Sequence, residues 1–103
     1  MDEKIERSRA QEQHLADLLG GTRNSGSGNG WRRKSDVRTP GILWECKRTD
    51  GKSITIKDAD LTAHRNYAYA EDRVPGFHIE IGGRRYMMFE EPEAVERMSL
   101  AQP

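Results

Sequence analysis

Two acids and a lysine in the middle of the chain have the types and the spacing that suit chemistry on a phosphate group. Glu45 and Lys47 lie two positions apart in the strand-like run ILWECKR, so both side chains point to the same face of a β-strand. Asp36 lies nine residues before Glu45, across a Thr-Pro-Gly turn, and can face it from the preceding strand. Two carboxylates held together repel each other unless a divalent cation lies between them. A lysine beside them can orient an attacking water or neutralise charge that develops on phosphorus.

Glu12 is the candidate for a third oxygen ligand. It lies three residues before Leu15 and seven before Leu19, which places it on the inward, apolar side of a predicted helix. Carboxylate oxygens suit Mg²⁺ or Mn²⁺ better than they suit zinc. The expected cofactor is therefore Mg²⁺, or Mn²⁺ in its place.

The helix that carries Glu12 is expected to run over residues 9–19. Ser8 and Gln11 have the spacing of a capping box at its start. Gly20 and Gly21 follow it and can take the positive φ that ends a helix.

The remaining elements alternate in a way that predicts an α/β fold, a small mixed β-sheet flanked by helices. Strands rich in apolar residues and a second helix follow the first helix, and glycine and proline mark the turns between them. In chain order we expect strands over 34–38 and 42–48, and a third strand or strand extension over 53–56. A helix that Asp58 or Asp60 caps follows and runs to about Glu71, with Leu61, Tyr67 and Ala68 inward, and residues 74–76 break it. A hairpin over 77–89 and a marginal helix after Pro92 come next.

A glycine- and serine-rich stretch, residues 24–30, separates the first helix from the strands. Too few residues precede it to form a domain, so it is predicted to be a loop inside one domain, where small residues let phosphate oxygens approach the backbone. Trp31 follows it, and it either stacks on a nucleic-acid base or folds back on the sheet.

Length and composition predict one small domain over residues 1–103, with 1–7 and 93–103 frayed or peripheral. Of the 103 residues, 34% are hydrophobic and 33% are charged, and a chain this polar often completes its core by dimerising. The single cysteine excludes an internal disulfide and fits a reducing, cytoplasmic setting. Nothing in the sequence resembles a signal peptide or a membrane span.

A formal net charge of zero hides a basic middle and acidic ends. Residues 23–57 carry nine Lys/Arg against three acids, a net charge of +6, and the rest of the chain carries −6. A basic face supplies the sequence-independent part of phosphate binding, which indicates nucleic acid as a partner.

These motifs together resemble a known nuclease family. The "SD" that ends at Asp36, followed by "ECK" over 45–47, resembles the core of the PD-(D/E)xK nuclease superfamily. The stretches "EQHLADLLGG", "RNSGSG", "SDV" and "WECKRT" occur in the order seen in archaeal-type Holliday junction resolvases and their phage relatives. The resemblance covers about residues 12–57, with a looser fit to Phe89.

The resemblance implies a restriction-endonuclease-like core and a Mg²⁺-dependent DNA endonuclease. It makes Asp36 and Glu45 the main metal ligands, with the Cys46 backbone carbonyl and Glu12 beside them, and Lys47 the catalytic lysine. Such enzymes are homodimers in which each protomer cuts one DNA strand, leaving a 5′-phosphate and a 3′-hydroxyl. The residues expected to contact DNA are Arg23, Ser25, Ser27, Trp31, Arg32, Arg33, Lys34 and Arg48.

The expected substrate is branched DNA, above all a Holliday junction, in the nucleoid or on viral DNA. A less selective flap or single-strand nuclease, and a catalytically idle DNA-binding protein of the same fold, remain open as alternatives. Glu45 and Lys47 could also form a plain salt bridge on a solvated face.

Several other reactive or aromatic residues are expected to have structural roles. Trp44 and Cys46 are interpreted as core residues, and Tyr67 and Tyr69 as part of a dimer interface or of helix packing. The histidines lack the spacing of zinc ligands; they are His14, His64 and His78.

Overall fold

The computed structural model describes residues 3–23 and 36–101, with side chains to residue 99. This part of the chain forms three helices and five strands. In chain order they are α1 (Glu3–Leu19), β1 (Thr22–Arg23), β2 (Asp36–Thr39), β3 (Ile42–Arg48), α2 (Asp58–Ala70), β4 (Val74–Ile81), β5 (Arg84–Met88) and α3 (Glu91–Ala101).

The five strands form one mixed sheet in the order β1-β2-β3-β4-β5. β3 and β4 are parallel, and the other neighbouring pairs are antiparallel. Parallel strands need a crossover connection, and α2 provides it between β3 and β4. The predicted fold class, a small mixed sheet flanked by helices, is confirmed.

α1 covers one face of the sheet, and the main apolar cluster lies between them. Leu15 and Ala16 of the helix pack against Val37 of β2 and against Trp44 and Cys46 of β3. Because side chains alternate along a strand, these three sheet residues share a face. The interpretation of Trp44 and Cys46 as core residues is confirmed.

α2 covers the opposite face. Its buried residues are His64 and Ala68. The His64 ring packs edge-on against Phe77 of β4, with ring centroids 4.8 Å apart. Phe77 is the parallel partner of Glu45 in β3, so Glu45 points to this same α2 face.

Glycines end the elements where the sequence predicts turns. Gly20 has φ 70°, and the Gly21 amide donates to the Ala16 carbonyl at 2.8 Å, which closes α1 as predicted. Gly41 (φ 76°) turns β2 into β3, and the Gly82-Gly83 pair (φ 61° and 75°) turns β4 into β5. These local turns fix the register of both hairpins.

Two predicted boundaries are wrong at the helices. α1 begins at Glu3, so Ser8 lies within the helix and does not cap it. The N-cap of α2 is Lys57, whose side chain makes no capping hydrogen bond. Asp58 and Asp60 lie in the first turn instead, where negative charge favours the positive end of the helix dipole.

Two predictions about strands are also wrong. Residues 53–56 form no strand, because β2 and β4 already occupy both edges of β3. α2 ends before residues 74–76 as predicted, but these residues belong to β4, which begins at Val74 and not at Phe77, and Pro75 and Gly76 are buried. A Cβ on Gly76 would lie 2.8 Å from the Trp44 ring, so the absence of a side chain there makes room for the indole.

No helix in the part of the chain that the structure describes is both long and apolar enough to cross a membrane.

Candidate metal centre

The β2–β3 hairpin brings the two predicted acids together. Asp36 and Glu45 are direct antiparallel partners, so their side chains leave the sheet side by side on the α2 face. Asp36 is 3% exposed and Glu45 is 2% exposed. Register and burial therefore concentrate two acidic groups in one water-poor place, where their mutual repulsion is strong.

Lys47 reaches the same place from two residues further along β3. Its Nζ lies 3.7 Å from Glu45 Oε2 and 3.7 Å from Asp60 Oδ2 in the first turn of α2. The lysine side chain is 22% exposed, so the ammonium group lies at the border between the buried acids and solvent. The predicted proximity of the lysine to the acids is present, and Asp60, interpreted from sequence as a helix cap, is a second partner of that lysine.

His64 joins the two acids from the helix above them. Within the described residues, the group whose possible ligand atoms all lie within 4.8 Å of one another consists of Asp36, Glu45 and His64. The histidine is fully buried. The sequence does not mark it as a ligand by spacing, because the three histidines lack the spacing of zinc ligands along the chain. The available signal was different: His64 lies three residues after Leu61 and four before Ala68, on the inward stripe of α2.

Main-chain carbonyls fix the orientation of the His64 ring. Nε2 lies 2.8 Å from the Leu43 carbonyl oxygen and 3.1 Å from that of Gly76. Carbonyl oxygens only accept hydrogen bonds, so Nε2 is a protonated donor. Nδ1 is therefore the ring nitrogen that can act as a ligand.

Glu12 is buried as predicted, but it lies outside the group of three. It is 5% exposed and belongs to α1, which packs on the other face of the sheet. Burial raises the pKa of its carboxyl group to about 7, the charges of Arg23 and Arg9 oppose that rise, and the charge of Asp36 adds to it. Glu12 thus shares an electrostatic environment with Asp36 from the opposite side.

Cys46 is a core thiol. Its side chain points to the α1 face, and burial raises the pKa of the thiol far above its usual range. A thiol that stays protonated is a poor nucleophile, in agreement with the structural interpretation.

Gln11 and His78 form a polar network on the α1 face of the sheet, next to β3. Gln11 Nε2 lies 3.1 Å from the Lys47 carbonyl oxygen and 2.9 Å from His78 Nδ1. The Gln11 amide nitrogen only donates, so His78 Nδ1 accepts this hydrogen bond. Burial, followed by the nearby His14 and Arg85 charges, lowers the pKa of His78, which favours the neutral ring. The network fixes the backbone of Lys47, and sequence analysis assigned it no such role.

The residues expected to bind DNA divide into described and undescribed ones. Arg23 is exposed on β1 opposite Val37, next to the strand position of Asp36. Arg48 Nη2 pairs with Asp50 at 2.7 Å and with Glu80 at 3.3 Å, so acids of the chain itself offset its charge. The others lie outside the described residues: Ser25, Ser27, Trp31, Arg32, Arg33 and Lys34.

No family model, curated protein or solved structure matches the chain.

Proposed function

We propose that the protein is a divalent-metal-dependent endonuclease that hydrolyses phosphodiester bonds in DNA. The observation that carries the proposal is the pairing of Asp36 with Glu45 across the β2–β3 hairpin, both buried, with Lys47 on the same face. Two buried acids in register are costly for a fold unless a cation compensates them.

The donor set fits a hard divalent cation. Asp36 and Glu45 are the residues that would hold it, since each contributes carboxylate oxygens on one face of the hairpin. Bound there, a divalent cation would polarise a phosphoryl oxygen and lower the pKa of a bound water. Glu12, whose pKa is raised to about 7, can add or withhold negative charge near neutral pH from the other face.

The chain's own residues account for the remaining chemistry. The Lys47 ammonium lies beside Glu45 and borders solvent, where it can stabilise negative charge that develops on the scissile phosphate. Asp60 contacts the same ammonium and limits the directions in which it can point. The Gln11 amide, bonded to the Lys47 carbonyl, fixes the backbone from which this side chain extends.

A restriction-endonuclease-like core is the finer fold that we propose. Its support is the antiparallel hairpin that carries both acids, followed by the parallel β3–α2–β4 unit, with α1 on the opposite face. The sequence resemblance to the PD-(D/E)xK superfamily over residues 12–57 supports the same assignment.

Branched DNA, above all a four-way junction, is the proposed substrate, and a homodimer is the proposed assembly. The resemblance to archaeal-type resolvases and the net charge of +6 over residues 23–57 support the substrate. A homodimer would cover apolar side chains that one copy exposes. Among the described residues these include Tyr67, Tyr69, Tyr86, Met87, Val95 and Met98.

The test compares cleavage of labelled four-way junction, flap and linear duplex DNA, each with Mg²⁺ and with EDTA. Wild type should cut the junction symmetrically only with Mg²⁺, and Glu45→Gln should bind the junction without cutting it. Glu91→Gln, an exposed glutamate on α3, is the matched control and should cut like wild type. Equal cutting of all three substrates would indicate a less selective nuclease and contradict the proposed preference for junctions. DNA binding without any cutting would indicate a DNA-binding protein and refute the proposed enzymatic activity.

A further inference from the structure

We propose that His64 supplies a third, nitrogen ligand to the centre formed by Asp36 and Glu45, and that this centre consequently prefers Mn²⁺ to Mg²⁺. The inference rests on the proposed metal site and deepens it by naming a ligand and the class of cation. Nothing in the sequence resemblance assigns a histidine to the site.

Position is the first argument for His64 as a ligand. Its ring, Asp36 and Glu45 present possible ligand atoms that all lie within 4.8 Å of one another. They come from three elements, β2, β3 and α2, so the group forms only in the folded chain. His64 on the helix therefore adds a possible ligand that the two strands alone do not provide.

Orientation is the second argument. The contacts of Nε2 with the carbonyls of Leu43 and Gly76 leave Nδ1 as the ligating nitrogen. Metal-binding histidines commonly donate their other ring N–H to a carbonyl or carboxylate, which fixes the tautomer and the ring plane. The edge-on contact with Phe77 restricts rotation of the ring further. A ring held this rigidly loses little freedom when it binds a cation.

The ligand type determines the choice of cation. Mg²⁺ strongly favours oxygen donors, whereas imidazole suits first-row transition metals, and Mn²⁺ accepts both imidazole and carboxylate. A centre with two carboxylates and one imidazole should therefore bind Mn²⁺ more tightly than a centre with the carboxylates alone. Loss of the imidazole should affect Mn²⁺ binding much more than Mg²⁺ binding.

The experiment measures Mn²⁺ binding to the DNA-free protein by electron paramagnetic resonance. A titration gives the affinity, and a pulsed measurement detects coupling of the Mn²⁺ electron spin to a histidine nitrogen. The variants are His64→Gln and, as a matched control, His78→Gln, a buried histidine on the opposite face of the sheet. Circular dichroism confirms that each variant folds.

We expect nitrogen coupling in wild type and in His78→Gln but not in His64→Gln, with Mn²⁺ affinity in His64→Gln lower by about tenfold or more. Mg²⁺ affinity, measured by competition, should change by less than the Mn²⁺ affinity. The wild-type spectrum decides the question even if His64→Gln does not fold, because a bound Mn²⁺ without nitrogen coupling overturns the inference.

The outcomes also separate this inference from the proposed function. Mn²⁺ binding that Asp36→Asn abolishes, without nitrogen coupling, would refute His64 as a ligand and leave the metal-dependent nuclease in place. Nitrogen coupling lost in His64→Gln, in a protein that cuts no DNA, would support His64 and refute the nuclease. Absence of Mn²⁺ binding in wild type would overturn both.

Discussion

The two faces of the sheet both bury polar groups, but they use them differently. On the α1 face, the Trp44 indole donates to the Thr39 hydroxyl at 2.8 Å, and Gln11 bonds to His78 and to a carbonyl of β3. On the α2 face, two acids and a histidine converge from three elements. Neutral groups that satisfy one another stabilise a fold, whereas converging acids are costly and indicate a site for a cation.

The largest expected effect is on the α1 face, where a substitution should impair folding. Trp44→Ala removes the largest buried side chain of the apolar cluster and its hydrogen bond to Thr39. We expect it to lower the free energy of unfolding by about 3–5 kcal/mol. Urea denaturation measures this change. Tyr86→Ala, an exposed aromatic residue on β5, should stay within about 0.5 kcal/mol of wild type. Equal losses in the two variants would mean that the cluster is not the core.

On the α2 face, a substitution should impair catalysis much more than folding. Lys47→Met removes the ammonium beside Glu45 and keeps most of the side-chain length. We expect single-turnover cleavage of junction DNA to fall by about 10²–10³-fold, since stabilisation of developing charge is lost. DNA binding should change little. Lys4→Met, an exposed lysine near the start of α1 and outside the basic stretch 23–57, serves as the control and should cut normally. If both variants cut alike, Lys47 has only a structural role.

The smallest expected effect concerns Glu12, a buried acid on the α1 face whose pKa the charge of Asp36 also influences. Its pKa is raised in the fold to about 7, so the folded state binds its proton more tightly than the unfolded chain does. Its contribution to stability is therefore fully present below the unfolded pKa and is lost as pH rises through about 7. The difference in stability between pH 5 and pH 8 in metal-free protein should shrink in Glu12→Gln, by at most about 3 kcal/mol.

Glu6→Gln, an exposed glutamate on the same helix, is the control for that measurement and should keep the wild-type pH dependence. A pH dependence that Glu12→Gln leaves unaltered would show that Glu12 is ionised in the fold at neutral pH.

The sequence predicts well what depends on neighbouring residues. The bounds of β3, the Pro40-Gly41 turn and the alternation of side chains follow from local preferences, and together they are enough to pair Asp36 with Glu45. The false strand at 53–56 arises from the same local reasoning, because alternation cannot show that both edges of β3 are already occupied.

The rest of the site depends on how the elements pack. His64 reaches the acids only because the parallel β3–α2–β4 crossover packs α2 on the sheet with His64 directed toward Asp36 and Glu45. Glu12 was correctly predicted to point inward, but no local pattern states which face of the sheet α1 covers. A helical stripe shows that a residue is buried, and tertiary packing decides which residues surround it.

The most direct test of the central claim is a crystal of the protein soaked in Mn²⁺, with an anomalous difference map calculated at the manganese edge. We expect one strong peak between the carboxylates of Asp36 and Glu45 in wild type, and its loss in a crystal of Asp36→Asn. A wild-type map with strong peaks only at surface acids, and none at the hairpin, would contradict the claim that these two buried acids form a metal centre.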